Sequence, residues 1–367
     1  MGPIDVRDLL RLQSVPGLGP RKIHSLISHF GTPGAILAAP PRDLARVSGI
    51  SKKLALVIRR HVVPDDLITE QLKAMEMAGA AIVTYWDDRY PTLLKNIYDP
   101  PLFLFVHGEL LSSDEALIAV VGTRTPSPYG ERAVSYFVPG LVEAGYSIVS
   151  GLARGIDTLA HREALRHHGR TIGVLGSGID VPYPRENAGL MREIARSGAV
   201  ITEFAMGTTP EAPNFPRRNR IVSGMTRGTL VVESAQDGGA MITASSALDQ
   251  NREVFAVPGP VFNPGCRGPH TLIHEGRAKL VQSVEDILDE LPTSGHAASI
   301  SSVHKPVYDL TLFEQRILDL LADEPLHVDQ IAHQASIGVP DALVALLGLE
   351  FKKLARQLPG RFFVALT

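Results

Sequence analysis

Ala116-Leu117-Ile118-Ala119-Val120-Val121-Gly122-Thr123-Arg124 is an unbroken apolar run that stops at a small-residue loop carrying one cation. Such a short run, apolar at every position, reads as a strand buried on both faces. Four more runs repeat the pattern, at 146–149, 171–175, 229–232 and 253–257. They end in Ser150-Gly151-Leu152-Ala153-Arg154-Gly155, Gly176-Ser177-Gly178, Glu233-Ser234-Ala235 and Pro258-Gly259. Each run is followed by a helical pattern, which predicts a parallel, doubly wound α/β sheet. In such sheets ligands lie outside the carboxyl ends of the strands, where loops and helix N-termini present free backbone N–H groups. Glycine loops along one edge, with Arg124, Arg154 and Arg217-Arg218-Asn219-Arg220 nearby, predict a groove for an anion, with a phosphate chain as the expected ligand.

The remaining composition narrows the class. A content of 44% hydrophobic and 20% charged residues is that of an ordinary globular protein. One cysteine, Cys266, excludes an internal disulfide and a multi-cysteine zinc site. No apolar stretch approaches the ~20 residues that span a bilayer, and the N-terminus lacks a signal-peptide pattern, so a cytoplasmic location is expected. The net charge of −3 hides an asymmetry: residues 1–64 carry ten Lys+Arg against three Asp+Glu. Between Arg217 and Arg227 there are four arginines and no acid. Local rather than bulk charge therefore points to nucleic acid.

Three modules are expected: 1–64, 65–292 and 306–367, with a small-residue linker at 293–305. In the first, Val15-Pro16-Gly17-Leu18-Gly19-Pro20-Arg21-Lys22 aligns with Val47-Ser48-Gly49-Ile50-Ser51-Lys52-Lys53, each leading into an amphipathic helix. The pattern resembles a helix-hairpin-helix turn, whose amides contact DNA phosphate without reading sequence; two tight turns in a helical bundle would look the same. Residues 65–80 read as a helix, and 81–85 and 102–107 as strands. The last module reads helix, helix, helix, then a hairpin turning at Pro359-Gly360, a winged-helix pattern. Its second reading helix offers Asp341 and Glu350 against Lys352 and Lys353, which suits a protein contact better than major-groove readout.

The segment Asn214-Phe215-Pro216-Arg217-Arg218-Asn219-Arg220 is the most specific chemically. Pro216 is expected to fix an extended entry, with the basic residues on the first turn of the helix that follows. The arginines would hold phosphates through forked, charge-assisted hydrogen bonds, and Phe215 would stack an unpaired base. Asp157 and His161, four apart on a helix, read as a helix-capping carboxylate and a histidine packed on the neighbouring loop rather than metal ligands. Glu203 and Glu233 follow strands; they are either general bases or acceptors for the arginines, the latter favoured because unpaired carboxylates repel phosphate. No Gly-x-Gly-x-x-Gly, Walker lysine or nucleophile elbow is present, which weighs against an enzyme.

These residues resemble the bacterial DNA-processing protein A (DprA/Smf) family over essentially the whole chain. The matching blocks are Val121-Gly122-Thr123-Arg124, 150–157 with His161, 175–180 with Tyr183-Pro184 and Asn187, Glu203-Phe204, Phe215-Pro216 with Arg218-Asn219-Arg220, 239–244 and Val257-Pro258-Gly259. The resemblance implies an extended Rossmann-like core, an all-α SAM/helix-hairpin-helix-like N-terminal domain and a winged-helix C-terminal domain. It also implies single-stranded DNA binding, homodimerisation, and loading of a RecA-type recombinase in natural transformation, with no catalytic activity, cofactor or metal. DNA contact is expected from Gly122, Thr123, Arg124, Ser150, Gly151, Arg154, Gly176, Ser177, Gly178, Phe215, Arg217, Arg218, Asn219 and Arg220. Two departures stand out: Thr123 where many members carry serine, and Glu211-Ala212-Pro213-Asn214 where some place a lysine.

Overall fold

The computed structural model describes residues 4–291, 311–321, 326–335, 337–352, 354–358 and 360–365. Residues 1–296 form one compact unit and 297–367 a second. The stretch 293–305, expected to be a linker, lies outside the described residues.

Five short helices open the first unit: α1 (Val6–Gln13), α2 (Pro20–Phe30), α3 (Pro33–Ala38), α4 (Pro41–Leu44) and α5 (Lys52–Arg60). The repeated pattern becomes two turns of one geometry. Gly17 and Gly49 take φ of +77° and +83°, a region that costs other residues a steric clash. The Leu18 amide donates to the Val15 carbonyl and the Ile50 amide to the Val47 carbonyl, each at 3.1 Å. Ser51, which stands where the first copy has Gly19, caps α5 by accepting from the Leu54 amide at 3.1 Å. Leu9, Leu12, Ile23, Leu26 and Ile58 of these helices share a core with Phe103, Phe105, Met191 and Ile194. The helices therefore pack directly on the α/β layer.

Helix α6 (Asp65–Met77) leads to β1 (Ala80–Thr84), α7 (Thr92–Lys95) and β2 (Phe103–Gly108). The alternating units follow: β3 (Leu117–Val121), α8 (Pro128–Glu143), β4 (Ser147–Ser150), α9 (Ile156–Arg166), β5 (Thr171–Val174), α10 (Ala188–Ser197) and β6 (Ala199–Thr202). The second half holds α11 (Asn214–Gly224), β7 (Gly228–Val231), α12 (Gly239–Asp249), β8 (Glu253–Ala256), α13 (Arg267–His274), β9 (Lys279–Leu280) and α14 (Glu285–Leu288). The nine strands lie in the order β1-β2-β6-β5-β4-β3-β7-β8-β9. Only β2 runs against the others, pairing antiparallel with β1 and β6. The remaining pairs, from β6 through β9, are parallel.

Both faces are covered. Ile118 and Val120 of β3 pack with Val134, Phe137 and Leu141 of α8. Leu117, Ala119 and Val121 pack on the opposite side with Ile221 and Val222 of α11 and Ala240 and Ala244 of α12. This two-sided burial explains why the strands read as continuous apolar runs.

The second unit contains α15 (Leu312–Leu320), β10 (Leu326–His327), α16 (Val328–Ala335), α17 (Val339–Phe351), β11 (Ala355–Leu358) and β12 (Phe362–Ala365). Its sheet, β10-β12-β11, is antiparallel and closes a core of Ile317, Ile331, Leu346, Leu349 and Phe363. That is a winged helix. Glu314 and Lys352 pair across it at 2.8 Å.

Candidate functional site

The strand order puts the topological switch between β3 and β7. The chain leaves β3 toward β4 and leaves β7 toward β8, so the two loops diverge and open a crevice at the strand ends. A cavity of about 330 Å³ fills it. One wall is Gly122-Thr123-Arg124 and Gly151; a second is Phe215, Arg218 and Asn219; the third is Ser234, Ala235 and the first turn of α12. The first amides of α12 have no intrahelical acceptor and carry the positive end of the helix dipole. Phe215 separates this cavity from a smaller one bounded by Arg154, Gly176, Tyr183 and Pro184.

Arg124 is exposed, its guanidinium carbon 5.5 Å from the centre of the Phe215 ring. The loop that carries it is held from both sides. The Thr123 amide donates to the Glu233 carbonyl at 2.7 Å, and the Ile156 amide donates to the Thr123 carbonyl at 3.1 Å. Gly155, at φ +75°, lies so close that a Cβ there would strike the Thr123 carbonyl and the Arg124 backbone. Arg124 is thus a flexible cation on a fixed backbone.

Arg218 plays a different part. It is only 5% exposed, and its Nη1 donates to the carbonyls of Gly151 and Val174, tying the ends of β4 and β5 to α11. Nε donates to the Asn219 side chain at 3.0 Å. Burial lowers its pKa to about 10, with Asp157 opposing and Arg124 reinforcing the shift, so it remains charged at neutral pH. Asp157 accepts from the amides of Gly151 at 3.1 Å and Ala153 at 3.3 Å. Burial raises its pKa above the ordinary carboxylate value, and Arg218 and those amides counter the rise. It clamps the β4 loop rather than capping α9, whose N-cap is Gly155. His161 has Nδ1 2.7 Å from the Thr171 hydroxyl of β5 and also meets the Ser150 backbone at the start of the β4 loop. Among the described residues no cluster suits a metal ion.

Other expected contacts lie outside the main cavity, with Arg154 and Gly176 in the smaller one beside it. The helix begins at Asn214, so Pro216 lies inside its first turn, where the missing N–H is not needed, and no extended entry exists. Arg217 and Arg220 lie on a different side of α11 from Arg218, toward Glu203. Arg220 pairs with Glu203 and with Asp99, and Arg217 lies over the Phe204 ring, 4.9 Å from its centre. Arg154 faces solvent in an ion pair with Glu186. The hydroxyls of Ser150 and Ser177 are spent on the carbonyls of Val120 and Val181, both at 2.7 Å. Gly176 serves by its smallness, since a Cβ would stand 3.1 Å from the Phe215 ring.

The two strand-end carboxylates also turn inward. Glu203 takes Arg220, as expected for an arginine acceptor, and burial raises its pKa. Glu233 takes no arginine among the described residues. It accepts from the Ser127 amide at 2.9 Å and hydroxyl at 2.5 Å while Ser127 caps α8, completing a capping box from a distant loop. Gly130 leaves the room for it. The α12 turn, Ser234 and Tyr183 were missed as site residues; the first two follow from the switch-point rule only when the strand order is known.

Fold and crevice together define a Rossmann-like protein with a strand-end cavity lined by glycine loops, Arg124 and the start of α12. Residues 81–292 match the family described as DNA recombination-mediator protein A, residues 305–361 match the DprA winged helix domain, and residues 9–60 match a SAM-like helix-hairpin-helix tandem. The chain belongs to the DprA/Smf family of DNA recombination mediators. It is 41% identical to protein Smf of Escherichia coli over 82% of this chain and 81% of that protein. It is 43% identical to DNA processing protein DprA of Bacillus subtilis over 60% of this chain and 74% of that one. Among solved structures, DprA from Streptococcus pneumoniae aligns with a TM-score of 0.70 and 33% identity, covering 80% of this chain and 100% of its own. The Helicobacter pylori protein, solved to explain its single-stranded DNA binding mode, aligns with a TM-score of 0.52 and 25% identity, covering 58% and 96%.

Proposed function

We propose that this chain binds single-stranded DNA in the switch-point crevice and acts there without catalysis. The observation that carries the reading is the pairing of exposed Arg124 with the Phe215 ring at the mouth of a cavity walled by helix-terminal amides. A phosphate suits the guanidinium and the amides; an unpaired base suits the ring. Paired bases cannot reach that ring, so duplex binds worse. That the Helicobacter pylori protein binds single-stranded DNA supports the same ligand. By family membership the chain would protect incoming DNA and load a RecA-type recombinase in natural transformation and homologous recombination, as a cytoplasmic homodimer. Its modules would be 1–64, 65–292 and 306–367, with 293–305 as linker.

The rival reading is a nucleotide hydrolase using Glu203 or Glu233. Both carboxylates are engaged internally, which disfavours it. The deciding experiment is fluorescence anisotropy of labelled oligothymidine, single-stranded and duplexed, at two salt concentrations, with wild type and Arg124→Ala. Tighter single-strand binding that weakens with salt and with the substitution supports the proposal. Absence of DNA binding, with nucleoside monophosphate turnover lost in Glu233→Gln, would overturn it.

A further inference from the structure

Phe262 is 95% exposed, more than any other large apolar side chain among the described residues, and its neighbour Val261 is 71% exposed. They occupy the centre of a turn after β8, closed by the Asn263 amide donating to the Pro260 carbonyl at 3.0 Å. The turn is rigidly mounted. Asn263 Nδ2 donates to Glu233 at 3.2 Å, and its Oδ1 accepts from the Gly265 amide at 2.9 Å. The Ser234 amide donates to the Gly265 carbonyl at 2.6 Å, and Tyr129 donates its hydroxyl to Pro258. Ser234 itself lines the crevice. The turn is therefore bolted to the crevice's β7 wall, and its aromatic tip makes no ring contact among the described residues.

On the other flank Tyr183, in the loop after β5, is 39% exposed and 5.7 Å from the Phe215 ring. Between the β5 and β8 loops lie the ends of β4, β3 and β7. Four strand spacings of ~4.8 Å make about 19 Å, longer than a mononucleotide and suited to an extended oligonucleotide. The exposed Arg267 follows the Phe262 turn in sequence, and the exposed Arg132 acts electrostatically on Tyr129.

We propose that Phe262 is a second base-stacking platform, so that one single strand crosses the whole strand-end edge from Tyr183 past Phe215 and Arg124 to Phe262. The proposal rests on the crevice reading and extends it. A turn already held in place loses little further conformational freedom when a base stacks on its tip, which favours binding. The ring has a π-face for any base, so the platform adds affinity without sequence preference.

The test uses the full-length protein and oligothymidines of about four to sixteen nucleotides, the range of known single-strand sites. Phe262→Ala should leave the shortest oligomers unaffected and weaken the longer ones about tenfold, while Phe262→Trp retains affinity and its added fluorescence is quenched by long oligomers only. A 5-iododeoxyuridine near one end of a long oligomer should crosslink to the peptide bearing Phe262. If Arg124→Ala weakens every length but Phe262→Ala changes none, the platform is wrong and the crevice stands. If wild type binds no length, both fall. A drop in oligomeric mass on Phe262→Ala, with DNA affinity unchanged, would assign the ring to a contact between copies instead.

Discussion

The guanidinium of Arg218 fills the volume that a side chain on Gly151 would need: a Cβ there would fall onto Nη1, which donates to the Gly151 carbonyl. The glycine of this loop is thus kept for an internal arginine as much as for a ligand. Gly151→Ala should force the two apart, and Arg218→Lys should leave the Val174 carbonyl or the Gly151 carbonyl without its donor. Each should lower unfolding stability in urea by about 1–3 kcal/mol, the cost of a buried polar group left unsatisfied. DNA affinity should fall as well, because the β4 wall of the crevice moves.

Arg124→Ala should behave oppositely. The side chain is exposed and supports no other element, so stability should stay within about 0.5 kcal/mol of wild type. Single-strand affinity should fall, and the slope of log affinity against log salt should lessen by about 0.7, the value for one phosphate contact on a single strand. A large loss of thermal stability in this variant would show that Arg124 is structural, like Arg218.

Arg220 and Glu203 form a buried pair on the face of α11 turned from the crevice, with side chains 12% and 3% exposed. Arg220→Ala should cost up to about 3–5 kcal/mol, because it leaves the buried Glu203 charge only the more distant Arg217 at 3.7 Å. Burial already raises the Glu203 pKa and Arg220 opposes the rise, so the variant's carboxyl takes up its proton at higher pH than the ordinary value. The native state then binds more protons than the unfolded one above that value, and stability falls as pH rises through the window. Arg220→Ala should therefore regain stability as pH is lowered from 7 toward 5, and Arg220→Ala with Glu203→Gln should not. Where the single variant is folded, its DNA affinity should match wild type.

The strand ends were legible because parallel strands covered on both faces must be apolar throughout, and five of them announced themselves. Strand β9 is only Lys279–Leu280, too short to stand out from helix ends and loops. The crevice was legible as an edge but not as a place, since the switch between β3 and β7 is a property of strand order. The sequence placed the arginine run on one helical turn without separating its faces. With the helix starting at Asn214, Phe215, Arg218 and Val222 share one face and Arg217 and Arg220 another, by ordinary three- and four-residue spacing. Glu233 could not have been read at all, because its partner Ser127 lies 106 residues away.

His161 supplies a test of the packing beneath the site. It is fully buried, and burial, aided by the nearby Arg218 charge, lowers its pKa from 6.5 to about 3. The unfolded chain therefore binds a proton in the window from about 6.5 down to about 3 that the native chain refuses. Stability conferred by the neutral ring is complete above the unfolded value and is lost as pH falls, by at most ~1.4 kcal/mol per pH unit. His161→Asn keeps a polar partner for the Thr171 hydroxyl but cannot be protonated. It should be less stable than wild type at pH 7, through the smaller side chain, while its stability should decline less steeply between pH 6.5 and 4. Parallel urea titrations across that range decide it: equal slopes in the two proteins would mean that the imidazole accepts its proton in place, and that the layer between α9 and β5 opens to water far more readily than its packing implies.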